Sequence, residues 1–223
     1  MNIASSAPAE VVSRIAMEAQ STTSRHRDLI SMSHVCKSWR EAVISYPLLW
    51  DTIYDDSEMT TRMCLERSKT LPLTATLFNF GQWSNNTLRL VGSHASRFEN
   101  LYLEGSVSSD LWCIFVSLTP SEGPLPLREL ILSGFQPLGT LLTHEDFRSP
   151  ILSKDIPTLH KLHLLSSPLT PQMTVLRHLT ELVLEDPGPS SANSLLDLRA
   201  NNPSIQKVDI TGPLEIRIHP GGI

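Results

Sequence analysis

One short pattern, apolar-x-x-apolar-x-apolar, recurs five times between residues 98 and 210 of the 223-residue chain. It reads Phe98-x-x-Leu101-x-Leu103, Leu127-x-x-Leu130-x-Leu132, Leu159-x-x-Leu162-x-Leu164, Leu179-x-x-Leu182-x-Leu184 and Ile205-x-x-Val208-x-Ile210. The middle positions follow one another at 29, 32, 20 and 26 residues. Two apolar residues spaced by two mark a strand with one buried face. A strand that returns at intervals of this size means that one supersecondary unit is laid down repeatedly. The intervening segments supply helices, notably 111–118 and 194–200. Strand, crossover, strand is what a parallel sheet demands. The 16 prolines sit mostly between the apolar segments, as they would at boundaries between repeated elements.

Pattern and spacing resemble those of leucine-rich repeats, which run about 20–29 residues, with one step here slightly long. In such a solenoid the paired leucines point inward and the residues alternating with them line a curved, concave sheet face. Its candidate substrate-binding residues are Tyr102, Glu104, Glu129, Ile131, Lys161, His163, Glu181, Val183, Lys207 and Asp209, joined by Asn100, Ser133, Leu165, Glu185 and Thr211. Charges mixed with single apolar groups suit a protein or peptide ligand better than a nucleic acid. Alternation from Leu73 to Phe80 places a first strand ahead of the repeats. At the other end, Leu214, Ile216 and Ile218 alternate like one more strand. It is either a terminal edge, or the chain is shorter than its relatives.

The N-terminal third has the helical period instead. Val11, Val12, Ile15, Ala16 and Ala19 form one apolar stripe of a helix over residues 8–19. Pro8 suits its first position, with Ala7 as cap and Glu10 facing the positive helix end. A second helix spans residues 27–34, with Leu29, Ile30 and Met32 apolar. A third carries Val35, Cys36, Trp39, Ala42 and Val43 and ends at Pro47. Residues 58–68 read as a further helix with Met59, Met63 and Cys64 inward.

The segments Pro8-Ala9-Glu10-Val11-Val12-Ser13-Arg14-Ile15, Ser33-His34-Val35-Cys36-Lys37-Ser38-Trp39-Arg40 and Pro47-Leu48-Leu49-Trp50 together resemble an F-box, and are especially similar to the fungal F-box-like family. The resemblance covers roughly the first fifty residues. It implies a three-helix module that docks on a Skp-family adaptor, which holds a cullin–RING ubiquitin ligase. Carried over by position, it implies adaptor contacts from Pro8, Val11, Val12 and Ile15, with Leu29, Val35, Trp39 and Trp50 divided between module core and interface. Two positions depart from the family pattern: Ala7 stands where a leucine is usual and Ala16 where a phenylalanine is.

A net charge of −5, from 18 basic and 23 acidic residues, with no basic patch, lacks the footprint of a nucleic-acid binder. The longest apolar run, 111–116, is too short to cross a bilayer, and residues 1–6 have no signal-peptide character. Three scattered cysteines suggest free thiols in a reducing compartment, cytoplasmic or nuclear. Cys36, beside Val35 in an apolar helical face, reads as a buried structural thiol. His160 and His163, three apart in a strand, fall on opposite faces and make a poor metal pair. Asp55, Asp56 and Glu58 read as a solvated turn. Phosphate-binding and nucleophile-elbow motifs are missing, so no catalysis, cofactor or metal is expected.

The expectation is an α/β chain: an F-box-like three-helix module (1–54), a bridging helix (55–70) and a short leucine-rich-repeat solenoid (71–223). As a ligase subunit it would bind the Skp-family adaptor, and through it a cullin, and recruit an unknown protein substrate to the repeats. The alternative is a repeat scaffold outside any ligase, its F-box degenerate and serving as a cap.

Overall fold

The computed structural model describes residues 7–19, 25–54, 57–78, 84–104, 126–134, 156–167, 169, 176–187 and 191–212. The chain is α/β, with six α-helices among the described residues and an open, parallel seven-stranded sheet in chain order. It divides into two compact units, Met1–Leu73 and Thr74–Ile223.

The first unit holds α1 (Ala9–Ala19), α2 (Arg25–Ser33), α3 (Lys37–Ser45), the two-residue strand β1 (Thr52–Ile53) and α4 (Glu58–Arg67). α3 packs against both α1 and α2. Helix α1 starts one residue later than expected. The Pro8 carbonyl accepts from the Val12 N–H at 3.1 Å, which places Pro8 at the cap. The apolar stripe of α1 splits: Val12, Ser13 and Ala16 turn inward, while Val11, Ile15 and Ala19 stay exposed. A helix–helix contact covers only part of such a wide stripe, and a unit this small has too few elements to cover the rest.

Trp50, fully buried, ties the unit together. Its indole N–H donates to the Val43 carbonyl at 2.9 Å, and the Arg67 guanidinium lies 4.4 Å from its ring centroid. His26 stacks parallel to the indole, and its Nε2 donates to the Thr52 carbonyl at 3.0 Å. The buried Cys64 thiol sits 3.2 Å from the same nitrogen, so α4 packs within this unit. Ser57 caps α4, its Oγ accepting from the Thr60 N–H. The inward face of α4 is Thr61, Cys64, Leu65 and Ser68, a step of three, one and three residues. Met59 is 82% exposed, which corrects the inward placement expected for it. Two positions from Thr61 is about 200° around the helix, hence outward.

The second unit carries β2 (Leu73–Leu77, from its second residue), α5 (Asn85–Gly92), β3 (Phe98–Glu104), β4 (Glu129–Ser133), β5 (Lys161–Leu165), β6 (Glu181–Glu185), α6 (Ser191–Asn201) and β7 (Lys207–Thr211). Helix α5 has no counterpart in the sequence reading. Its signal is Ser84, whose Oγ accepts from the Thr87 N–H, followed by the buried Leu88 and Val91. The expected helix over 111–118, the residues 79 and 80 of the expected first strand, Asp55, Asp56 and the tail from 213 to 223 lie outside the described residues.

β3 to β7 pair in parallel with one unbroken register. It stacks Leu101, Leu130, Leu162, Leu182 and Val208 in one row, and Leu103, Leu132, Leu164, Leu184 and Ile210 in another. The eight leucines are buried. A full Leu side chain removed from water contributes about 1.5–3 kcal/mol, and a slip of one residue would turn every leucine outward. Each described strand from β4 onward ends on a residue with left-handed backbone: Gly134, Ser166, Asp186 and Gly212. The N–H groups of Gly134, Ser166 and Asp186 donate to the last carbonyl of the next strand, at 2.8, 2.6 and 2.8 Å. The turn therefore swings the chain off the sheet without losing a ladder bond. Ahead of the strands, Thr158 and Ser204 hydroxyls donate back to the Leu127 and Leu179 carbonyls, each at 2.9 Å.

The leucine rows fade at β7, where Val208 is half-buried and Ile210 is 41% exposed. Leu164→Ala should therefore cost about 2–5 kcal/mol of unfolding free energy in a denaturant titration, and Ile210→Ala under about 1 kcal/mol. Equal losses at the two sites would contradict this account of the rows.

Candidate protein-binding surfaces

The helical unit presents apolar side chains that its own core leaves uncovered. Val11 and Ile15, one turn apart on α1, are 47% and 42% exposed. Val35, in the turn before α3, and Leu48, after it, are also exposed. Pro8 is exposed and Trp39 half-buried. Leu29 and Trp50 are fully buried, so of the four residues divided between core and interface these two fall to the core. Val12 was expected at the interface and is instead fully enclosed, which corrects that assignment. It lies 100° around α1 from Val11, on the side that meets the other helices. Small residues, including Ala9, Ser13, Ala42 and Ser45, leave a groove of about 390 Å³ between α1 and α3.

The polar face of the sheet is ordered by the same register as the leucine face. Its first row is Asn100, Glu129, Lys161, Glu181 and Lys207. Charge alternates along it and is spent locally. Lys161 Nζ lies 2.7 Å from Glu129, and Lys207 Nζ lies 2.7 Å from Glu181 and 2.8 Å from Asp209. The hydrogen bonds that both ammonium groups donate to these carboxylates hold them above the usual lysine range, while Lys207 holds Glu181 below the usual carboxylate range. Asn100 donates to Thr74 Oγ1 at 3.2 Å.

The second row, Tyr102, Ile131, His163, Val183 and Asp209, is largely apolar or aromatic, and Phe78 meets Tyr102 edge-on at 5.7 Å. The third is Glu104, Ser133, Leu165, Glu185 and Thr211. His163 Nε2 reaches diagonally to Glu185 at 3.0 Å. Burial, then Glu104, then Glu185 push the Tyr102 phenol above its ordinary value. The register thus brings all ten candidate residues of this face together on one surface.

His160 precedes β5, is exposed, and lies with Nδ1 3.3 Å from the His178 carbonyl. Among the described residues no three His, Cys, Asp or Glu side chains converge as a metal site would require, and no helix is long and apolar enough to cross a membrane.

Two residues have roles that the sequence reading missed. Cys36 is not a buried structural thiol: it is partly exposed and occupies the N-cap position of α3. The Ser38 hydroxyl 3.3 Å away, then the Trp39 backbone N–H, lower its pKa. Its place just ahead of a helical run was the available signal. Asn202, fully buried at the end of α6, accepts from the Leu179 N–H and donates to the Leu176 and Leu198 carbonyls, so one side chain closes three backbone gaps.

Val12→Asp should destabilise the helical unit by more than about 3 kcal/mol, because it buries an unpaired charge. Ile15→Asp should stay within about 1 kcal/mol of the parent in the same melting experiment. With iodoacetamide at neutral pH, peptide mapping should find Cys36 alkylated well before the buried Cys64. Ser38→Ala should slow the Cys36 reaction by returning its thiol towards the ordinary pKa.

Compared with known proteins, the chain matches no family model and gives no significant match to a curated protein.

Proposed function

We propose that the chain is a substrate-recruiting subunit of a cullin–RING ubiquitin ligase: an F-box-like helical unit that docks on a Skp-family adaptor, followed by leucine-rich repeats that hold a protein substrate. The observation that carries this reading is where the uncovered apolar side chains lie. Eight of the eleven large apolar residues exposed among the described residues belong to the helical unit, including Val11, Ile15, Val35 and Leu48. Apolar side chains gathered on one small unit mark a surface that a partner covers. Ala16, where the F-box pattern usually has phenylalanine, is fully buried, so its small side chain subtracts nothing from that outward surface.

The repeats are the second half of the proposal. Parallel strands in a constant register display a polar face along which each side chain is set independently, and such a face suits a protein ligand. The chain would act by proximity: holding substrate and ligase together raises their effective concentration and requires no chemistry from the chain itself.

The test is a pull-down of the purified chain with a Skp-family adaptor beside the Ile15→Asp variant. Capture by the parent and at least a tenfold weaker capture by the folded variant is the expected result. A folded parent that captures no adaptor would overturn the ligase reading and leave a repeat scaffold. Capture unchanged by Ile15→Asp would remove α1's exposed face from the interface.

A further inference from the structure

The three rows of the polar sheet face are not equivalent, and the difference selects a ligand. In the first row every carboxylate has a lysine at 2.7 Å, so an incoming cation finds no free partner there. The third row differs. Glu104 on β3 has no cationic partner among the described residues, and Glu185 on β6 is met only by His163, which carries charge only when protonated. Glu185 is also exposed over nearly half of its side chain. Between the two carboxylates the register sets Ser133 and Leu165, and beside these Ile131 and His163. The surface therefore has a carboxylate at each end and, between them, Ile131 and Leu165 as its apolar members.

Strand spacing fixes the scale. From β3 to β6 is three interstrand steps, about 14 Å at about 4.8 Å each. An extended peptide advances about 3.4 Å per residue and puts alternate side chains on one side. Residues i and i+4 of such a peptide are then also about 14 Å apart and point the same way, with residue i+2 midway between them.

We infer that the polar face of the sheet binds an extended protein segment of the form basic-x-apolar-x-basic, laid across β3 to β6, with its two cations on Glu104 and Glu185 and its central apolar side chain on Ile131 and Leu165. This deepens the proposed function and rests on the reading of that face as the substrate surface. Charge complementarity chooses the occupant: the open charges at the two ends are both negative, and the positive charges of the face are already paired with carboxylates. Tyr102, whose phenol both glutamates perturb, lies within the same negative field.

The experiment is fluorescence anisotropy of the full chain with three labelled peptides whose cores are Arg-Thr-Leu-Thr-Arg, Arg-Thr-Ser-Thr-Arg and Glu-Thr-Leu-Thr-Glu. The first should bind at least tenfold more tightly than either of the others. Glu104→Gln and Glu185→Gln should each weaken it at least fivefold with melting transitions unchanged. Asp197→Asn, which removes one charge from the exposed side of α6, should leave it within twofold. Equal binding of the three peptides, no binding at all, or an equal loss with Asp197→Asn would overturn the inference. Adaptor pull-down separates this from the ligase reading. A chain that captures adaptor but shows no peptide preference sinks only this inference. A chain that selects the first peptide but captures no adaptor sinks only the ligase assignment.

Discussion

The backbone register of β3 to β7 is the constraint from which the second unit follows. Parallel pairing with no offset forces equivalent residues of successive strands into rows, so a leucine in one strand is stacked on a leucine in the next. Burial of those rows holds the register, and the register keeps the rows buried; neither survives a one-residue slip. The ends of the strands serve the same geometry. A left-handed residue after each described strand from β4 to β7 releases the chain, and the next strand's last carbonyl receives the N–H of all but the final one. Glycine fills that place twice. At Gly212 the φ of +106° is one that side chains with a Cβ rarely adopt, and an added Cβ would also sit tight, at 3.2 Å, against the Asp186 backbone.

The same register decides which charges are spent. Residues 129, 161, 181 and 207 fall in line with alternating sign because their strands do, and the row becomes a chain of local ion pairs. Exposed pairs of this kind add little stability individually. Their larger effect is to remove those groups from the set that a ligand can meet, which leaves the carboxylates of Glu104 and Glu185 to define the character of the face.

In the helical unit a single side chain has the organising position. Trp50 is held by a hydrogen bond to α3, stacked on by His26 of α2 and covered by Arg67 of α4. Removing one large ring from that place would affect three helices at once. With the core gathered around Trp50, Leu29 and Val12, the remaining apolar residues of α1 and of the turns have nowhere inside the unit to go. Their exposure is a consequence of how few elements the unit has.

Much of this was legible in the chain. Period-two leucines recurring at set intervals determined five strands, their parallel sense and the two faces of each, because side-chain alternation in a strand is a local property. Three N-terminal helices followed from apolar spacing in the same way, and the helix expected over 194–200 is found as Ser191–Asn201. Spacing could not say which half of a wide stripe finds a partner. Val12 and Val11 are equivalent in sequence, and only the position of α3 and α2 sends one inward and leaves the other outside. Met59 and Cys36 were misplaced for the same reason, since burial depends on what packs opposite. The pairing of Glu185 with His163 and the three bonds of Asn202 join residues on separate strands or turns, and such meetings exist only after the register has closed.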